Sequence, residues 1–286
     1  MKKPVPVILD TDIGSDIDDS WALAMMLNSP ELDVKLITTA TLNTPHRTAI
    51  AAKLLEAAGR TDIPIGTGPQ FSDLPIQVSP WIKDFDLRKY KGKIYSDGVD
   101  AMVRTVMDSK EKVTIISIGP LTNVAAALIR EPRLAEKAVF KGMHGSINRQ
   151  HRDQPGAIAE YNVIVDVQAA MKVFETGWDM TITPLDTCGN IVLDGEHYRR
   201  VAESRSPLTK AVIDSYHVWL GGNSDNGRSS ILYDTVAIYL AFAEDLLDIR
   251  KLPIRIGCDG MMLVDEANGK KVRCALEWKS KDAFKD

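Results

Sequence analysis

Short apolar runs alternate with amphipathic stretches along most of this chain. Residues 5–10, 34–40, 113–119, 138–142 and 180–185 are rich in apolar, β-favouring side chains and read as buried strands. Between them the spacing of apolar positions predicts helices over 20–27, 48–58, 98–107, 121–129 and 167–174. Strands alternating with helices of this length imply crossover connections and a mainly parallel sheet. A later helix is expected over 231–243, and 254–258, 261–264 and 272–278 suggest a closing antiparallel piece. Residues 66–93, rich in Pro, Asp and Lys, and 145–155 read as long loops, which on a compact scaffold often carry function. No internal repeat or low-complexity linker interrupts the pattern. The expectation is an α/β fold, a mainly parallel sheet flanked by helices, in one domain over 1–286 with loop insertions.

The first strand runs into Asp10-Thr11-Asp12-Ile13-Gly14-Ser15-Asp16-Ile17-Asp18-Asp19, five carboxylates in ten residues. Like charges a few ångströms apart repel by several kcal/mol where water is partly excluded. Such a cluster must protonate, splay into solvent, or be neutralised by a multivalent cation. A solvated acidic loop is the ordinary explanation of an Asp-rich run. Here an apolar strand precedes the cluster and Ser20-Trp21-Ala22-Leu23-Ala24-Met25-Met26-Leu27 opens an apolar helix after it. The carboxylates therefore fall at a strand-to-helix junction, where α/β proteins place their sites.

Composition narrows the partners. At 286 residues and 44% hydrophobic content the chain can bury a large core without disulfides or a structural metal. A net charge of -4 with scattered Lys and Arg provides no field for phosphate backbones, so nucleic-acid binding is not expected. Cys188, Cys258 and Cys274 are an odd number without metal-ligand spacing and read as thiols in a reducing compartment. Met1-Lys2-Lys3-Pro4-Val5-Pro6 leads straight into the first strand and no apolar stretch is long enough to span a bilayer, so no membrane association and a cytoplasmic location are expected. A removed leader peptide leaves a periplasmic or secreted origin open.

Four further polar stretches lie at or near predicted strand ends: Thr38-Thr39-Ala40-Thr41-Leu42-Asn43, Ile118-Gly119-Pro120-Leu121-Thr122-Asn123, Ala159-Glu160-Tyr161-Asn162 and Leu232-Tyr233-Asp234. Singly, each is as readily a helix N-cap as a ligand. Asp10-Thr11-Asp12, Asp18-Asp19, Gly119-Pro120-Leu121-Thr122-Asn123, Ala159-Glu160-Tyr161-Asn162 and Asp234 together resemble, in order and over about residues 5–243, the inosine/uridine-preferring nucleoside hydrolase family. The resemblance implies a Rossmann-like domain with Ca²⁺ at the carboxyl ends of the strands, and hydrolysis of a ribonucleoside to free base and ribose. It implies Asp12 as metal ligand and general base, with Asp19, Asp234 and the Thr122 carbonyl as further ligands. Asp18, Asn43, Glu160 and Asn162 match positions that hold sugar hydroxyls. Hard carboxylate and carbonyl oxygens suit the irregular shell of Ca²⁺. The partner implied is a small nucleoside or ribose, and the assembly a homodimer or homotetramer.

The chain departs from the family pattern in places. Residues inserted before Asp18 leave Asp16 open between an extra metal ligand and a loop carboxylate. The His that many members carry before the late Asp, credited with protonating the leaving base, is here Tyr233, a phenol neutral at pH 7. His46, His144, His151 and His217 are other candidates for that proton, as is departure aided only by stacking and solvent. Gln154 stands where the family often has an Asn reaching the sugar 5′ position. Trp219, within Tyr216-His217-Val218-Trp219, is a candidate for stacking a nucleobase, with core packing as the alternative. Trp81, Phe85 and Tyr90 supply either a mobile lid or loop anchors. Two rival readings remain at this level: a haloacid-dehalogenase-type phosphatase, which also presents Asp-x-Asp after a strand, and a calcium-dependent riboside-binding relative that has lost catalysis. An EF-hand fails on ligand spacing.

Overall fold

The computed structural model describes residues 3–286. Met1 and Lys2 of the opening segment lie outside the described residues. Ten strands form one sheet: β1 (Val5–Thr11), β2 (Leu32–Thr39), β3 (Ile65–Thr67), β4 (Ile94–Tyr95), β5 (Val113–Ser117), β6 (Ala138–Met143), β7 (Met180–Thr183), β8 (Leu247–Ile256), β9 (Met262–Val264) and β10 (Lys270–Trp278). Their order is β4-β3-β2-β1-β5-β6-β7-β10-β8-β9. Neighbours from β4 to β7 pair in parallel, β10 adds parallel to β7, and β8 and β9 close the edge antiparallel. The helices are α1 (Asp18–Leu27), α2 (Thr44–Ala57), α3 (Gly98–Met107), α4 (Thr122–Arg130), α5 (Leu134–Lys137), α6 (Tyr161–Ile164), α7 (Val167–Glu175), α8 (Leu185–Cys188), α9 (Gly195–Ala202), α10 (Pro207–Trp219), α11 (Thr235–Tyr239) and α12 (Lys281–Lys285). This is a Rossmann-like α/β fold.

Successive strand residues serve opposite faces. Val7 and Leu9 enter one core with Trp21, Leu23, Ile50 and Leu54 from α1 and α2, whereas Ile8 joins Val99, Val124 and Val173 from α3, α4 and α7. Burial on both sides is why these strands read as continuous apolar runs. From β1 the chain builds outward to β2 on one side and later to β5 on the other. The crevice between β1 and β5 is thus the point where strand order reverses, and the carboxyl ends there form a natural site.

The expected helix over 231–243 is shorter, Thr235–Tyr239. Leu232 lies outside the helix, its N–H donating to the Ile191 carbonyl at 2.8 Å, and helix begins only at Thr235 with Asp234 as its N-cap. The helix expected from 48 starts at Thr44, capped by the Asn43 side chain and entered through Pro45. In the 66–93 loop, Tyr90 is buried, Trp81 and Phe85 pack on the core, and the Lys53 ammonium sits 4.1 Å from the Trp81 ring centre. These aromatics anchor the loop. Among the described residues no helix is long and apolar enough to cross a membrane.

Candidate active site

At the carboxyl ends of β1, β5 and β6 lies a cavity of about 360 Å³ bordered by Asp12, Asp16, Asp18, Asp19, Glu160, Asn162, Tyr233 and Asp234. That volume suits a small molecule of nucleoside size. Asp12 follows β1 directly, and it lies so close to the turn after β5 that a Cβ on Gly119 would fall 2.8 Å from the Asp12 backbone nitrogen and 2.9 Å from its Oδ1. Glycine at 119 is what allows this approach.

Asp18 and Asp19 form the first turn of α1, where carboxylates complement the helix dipole. Asp234 arrives from the far end of the sequence at the start of α11, its N–H donating to Asp18 Oδ2 at 3.3 Å. The Thr11 hydroxyl donates to Asp19 Oδ1. One carboxylate oxygen from each of Asp18, Asp19 and Asp234 lies within 4.8 Å of the others, all three residues buried. Burial first, then repulsion from neighbouring carboxylates, holds the protons of these three groups well above the usual carboxylate range. Three hard anionic oxygens converging in a buried place fit a hard divalent ion, which relieves that repulsion.

The described cation nearest Asp12 is Arg47, fully buried on α2, with Nη2 3.8 Å from Asp12 Oδ2. Its guanidinium donates to the Thr41 carbonyl at 3.0 Å, the Ile13 carbonyl at 3.0 Å and the Ser15 hydroxyl at 2.9 Å. It thereby ties the acidic turn to the loop that follows β2. Thr41 and Leu42 adopt left-handed backbone angles, φ 64° and 49°, which carry the chain around the guanidinium. Burial raises the Asp12 proton affinity, Arg47 opposes it, and Asp16 adds to it. Asp10, behind the site, accepts from Thr38 at 2.6 Å and Asn123 at 2.8 Å; burial still pushes it up to about 7. The Asn of the Gly-Pro-Leu-Thr-Asn stretch thus braces the strand end.

Glu160 accepts from the N–H groups of Gly145 at 2.9 Å and Asn162 at 2.7 Å, and burial pushes it up to about 7. The Asn162 amide donates to the carbonyls of Ile118 at 3.2 Å and Met143 at 3.1 Å, tying α6 to the ends of β5 and β6. Tyr233 borders the cavity beside Asp234; burial and nearby Asp18 push its phenol proton affinity up, so it stays a hydroxyl. Asp16 is exposed at the rim and accepts from the Ile17 N–H at 2.7 Å.

Several candidates sit elsewhere. Asn43 does not border the cavity: its Oδ1 accepts from the His46 N–H at 3.1 Å and its Nδ2 donates to the Leu74 carbonyl at 3.1 Å, so both ends of the amide serve the cap and the adjoining loop. Gln154 is exposed and outside the cavity lining. Trp219 also lies outside the lining, stacked on Tyr216 with ring centres 6.0 Å apart. Thr122 opens α4 with its hydroxyl donated to Asp166 at 2.7 Å. Sequence reasoning missed Arg47 and the exposed Tyr161, which lines the cavity. Adjacency to Glu160 and Asn162 was the available signal for Tyr161; none existed for Arg47.

The model of the family described as inosine-uridine preferring nucleoside hydrolase matches residues 7–286. A pyrimidine-specific ribonucleoside hydrolase, RihA, of Escherichia coli O7:K1 is 32% identical over 74% of this chain and 71% of its own length. A probable uridine nucleosidase 2 of Arabidopsis thaliana is 28% identical over 98% of this chain and 91% of its own. Among solved structures, a plant nucleoside hydrolase superposes with a TM-score of 0.81 at 24% identity, covering 99% of this chain and 97% of that one. An inosine-uridine preferring nucleoside hydrolase of Bacillus anthracis gives 0.79 at 16% identity with the same coverage. At these identities the structural likeness speaks to the fold.

Proposed function

The chain belongs to the inosine-uridine preferring nucleoside hydrolase family, and from that premise we propose how its own residues divide the work. It is a nucleoside hydrolase, splitting a ribonucleoside with water into free base and ribose. The observation that carries the residue assignment is the convergence of Asp18, Asp19 and Asp234 beside Asp12 in one buried cavity.

Asp12, Asp19 and Asp234 would hold a Ca²⁺ ion, with Asp18 beside it and Asp16 left at the rim as a loop carboxylate. Bound there, the ion supplies a hard anchor for ribose hydroxyls and for the attacking water. Asp18, Glu160 and Asn162 hold the sugar hydroxyls. Glu160, fixed by two backbone N–H groups, presents its carboxyl in one orientation. Positioning of this kind converts much of the entropic barrier into binding. Asp12 takes a proton as the water oxygen bonds to C1′, and the C1′–N bond breaks through an oxocarbenium-like transition state. Arg47 opposes the rise in Asp12 proton affinity that burial causes, and braces the turn that carries it. Tyr233 faces the departing base.

Cys188 and Cys274 are buried free thiols and Cys258 an exposed one, which supports a reducing compartment such as the cytoplasm. A homodimer or homotetramer is part of the proposal and is read directly by light scattering. The function itself is tested by a panel of ribosides with free-base detection, with and without chelator. Release of base that stops on chelation and returns with calcium supports the whole reading; phosphate release from esters without base release would replace it with the phosphatase.

A further inference from the structure

The leaving-group side of the cavity lacks the imidazole that many family members place before the late Asp, yet one imidazole reaches the same spot from another loop. His151 borders the cavity, and its Nδ1 lies 2.9 Å from the Tyr233 hydroxyl, the rings 5.5 Å apart and nearly perpendicular at 86°. The other histidines are engaged elsewhere. His144 is buried with Nε2 on the Gly119 carbonyl at 3.1 Å, and His46 Nδ1 meets the Ser79 hydroxyl at 2.8 Å. His197 and His217 lie beside Asp286 and Asp225, at 3.2 and 3.5 Å.

The loop that carries His151 is built to hold it. Asp186, buried on α8, accepts from the N–H groups of Ile147 at 2.9 Å and Asn148 at 2.8 Å. The Ser146 hydroxyl donates to the Arg149 carbonyl at 2.7 Å, Gln150 N–H to the Gln154 carbonyl at 2.7 Å, and Arg152 N–H to the Gly189 carbonyl at 2.7 Å. Arg152 and Asp153 are both left-handed, φ 58° and 59°, so the loop keeps two non-glycine residues in an unfavoured conformation directly after the histidine. Solvent reaches the imidazole, which lets it regain a proton between turnovers.

We propose that His151 is the proton source for the departing nucleobase, acting through the Tyr233 hydroxyl. The inference rests on the nucleoside hydrolase reading. As the C1′–N bond breaks, its electron pair passes to the base; the Tyr233 O–H proton moves to the base, and the His151 Nδ1 proton moves to the Tyr233 oxygen. Water's oxygen bonds to C1′ and its proton goes to Asp12, which returns it to solvent as His151 takes one up. The phenol is unchanged over the cycle. Partial burial and neighbouring Arg152 hold the proton affinity of the imidazole below its usual value, and Asp16 across the rim opposes them in favour of the protonated ring.

The test compares two leaving groups. A nucleobase anion is strongly basic and needs a proton to depart, whereas 4-nitrophenolate does not, so nucleosides and 4-nitrophenyl β-ribofuranoside separate proton donation from everything else. With His151→Asn and Tyr233→Phe we expect kcat on the nucleoside to fall about 100-fold or more, the usual range for general acid catalysis, while the nitrophenyl riboside changes by less than about threefold. The double variant should fall no further than the singles, because one relay is lost once. Retained nitrophenyl hydrolysis also reports that each variant is folded. Equal losses on both substrates would mean a structural loop residue and overturn the relay alone, as would nucleoside turnover untouched by His151→Asn. A wild-type protein that cleaves neither riboside overturns the nucleoside hydrolase reading and the relay with it.

Discussion

Replacing Arg47 by Met tests whether a buried cation organises the acidic turn. Met keeps an apolar stem and removes the guanidinium, leaving the buried carbonyls of Ile13 and Thr41 without their 3.0 Å donors and Ser15 without its 2.9 Å partner. An unpaired buried polar group costs about 1–3 kcal/mol, so the two carbonyls alone predict a loss of about 2–6 kcal/mol. Removing one partner of a buried ion pair, here the 3.8 Å contact to Asp12, falls in a similar range of about 3–5 kcal/mol. The two estimates overlap because they describe the same removed group, and about 4 kcal/mol is the expected loss. That is a large part of a typical stability of about 5–15 kcal/mol. Urea unfolding in excess chelator, with the slope unchanged, reads it directly. Turnover should fall as well, because Asp12 loses its only described counter-charge within 4 Å, the one that opposes the rise in its proton affinity caused by burial. Arg47→Lys keeps the charge without the fork and should lie between. An Arg47→Met protein within about 1 kcal/mol of wild type and with normal kcat would refute this account of the turn.

Asp12→Asn should lower kcat by at least about 100-fold with the fold retained by circular dichroism; near-normal rates would remove Asp12 as the base. Calcium at about 100 times its Kd should stabilise the protein by about 2.7 kcal/mol, seen as a melting-point rise of about 5 °C that chelator reverses. An unmoved melting point at saturating calcium would count against an ion held by Asp12, Asp19 and Asp234. Gly119→Ala pushes a methyl against the Asp12 backbone nitrogen, which cannot rotate away, so kcat should drop well beyond the about 1–3 kcal/mol of stability expected for overpacking. His144, pulled down to about 4 by burial, is neutral when folded and protonates near 6.5 when unfolded. Its contribution is therefore fully present above pH 6.5 and is lost as pH falls toward 4, by about 3 kcal/mol in total. Denaturation of wild type and His144→Gln across that window should converge at low pH; parallel curves would show that His144 does not titrate on unfolding.

The residues that read correctly from sequence did so through local physics. Val7, Ile8 and Leu9 are buried whichever face they serve, so their run announces a strand without knowledge of its neighbours. The helix expected from Ser20 was legible from its apolar side chains, and it begins two residues earlier because Asp18 and Asp19 suit a first turn. Asn43 could be read two ways, because an amide at a strand end resembles a ligand and a cap equally, and the Leu74 carbonyl that helps occupy it lies in another loop. The 231–243 segment kept an apolar helical pattern, yet its first residues are irregular and turn, with the Leu232 N–H donated to Ile191 instead of to a helical partner.

Chemistry confined to neighbours in the chain was determined by sequence alone: the strand, the acidic turn, the helix behind it, and the motif order that marks the family. What needed the tertiary structure was every pairing across distance. Asp234 joins Asp18 across 216 positions, Arg47 meets Asp12 from another helix, and His151 meets Tyr233 across 82. An arginine in an amphipathic helix carries no local sign of burial, and a histidine in a loop none of its partner. Electrostatic and hydrogen-bond energies depend on separations of a few ångströms in space, which chain packing sets and position along the chain does not.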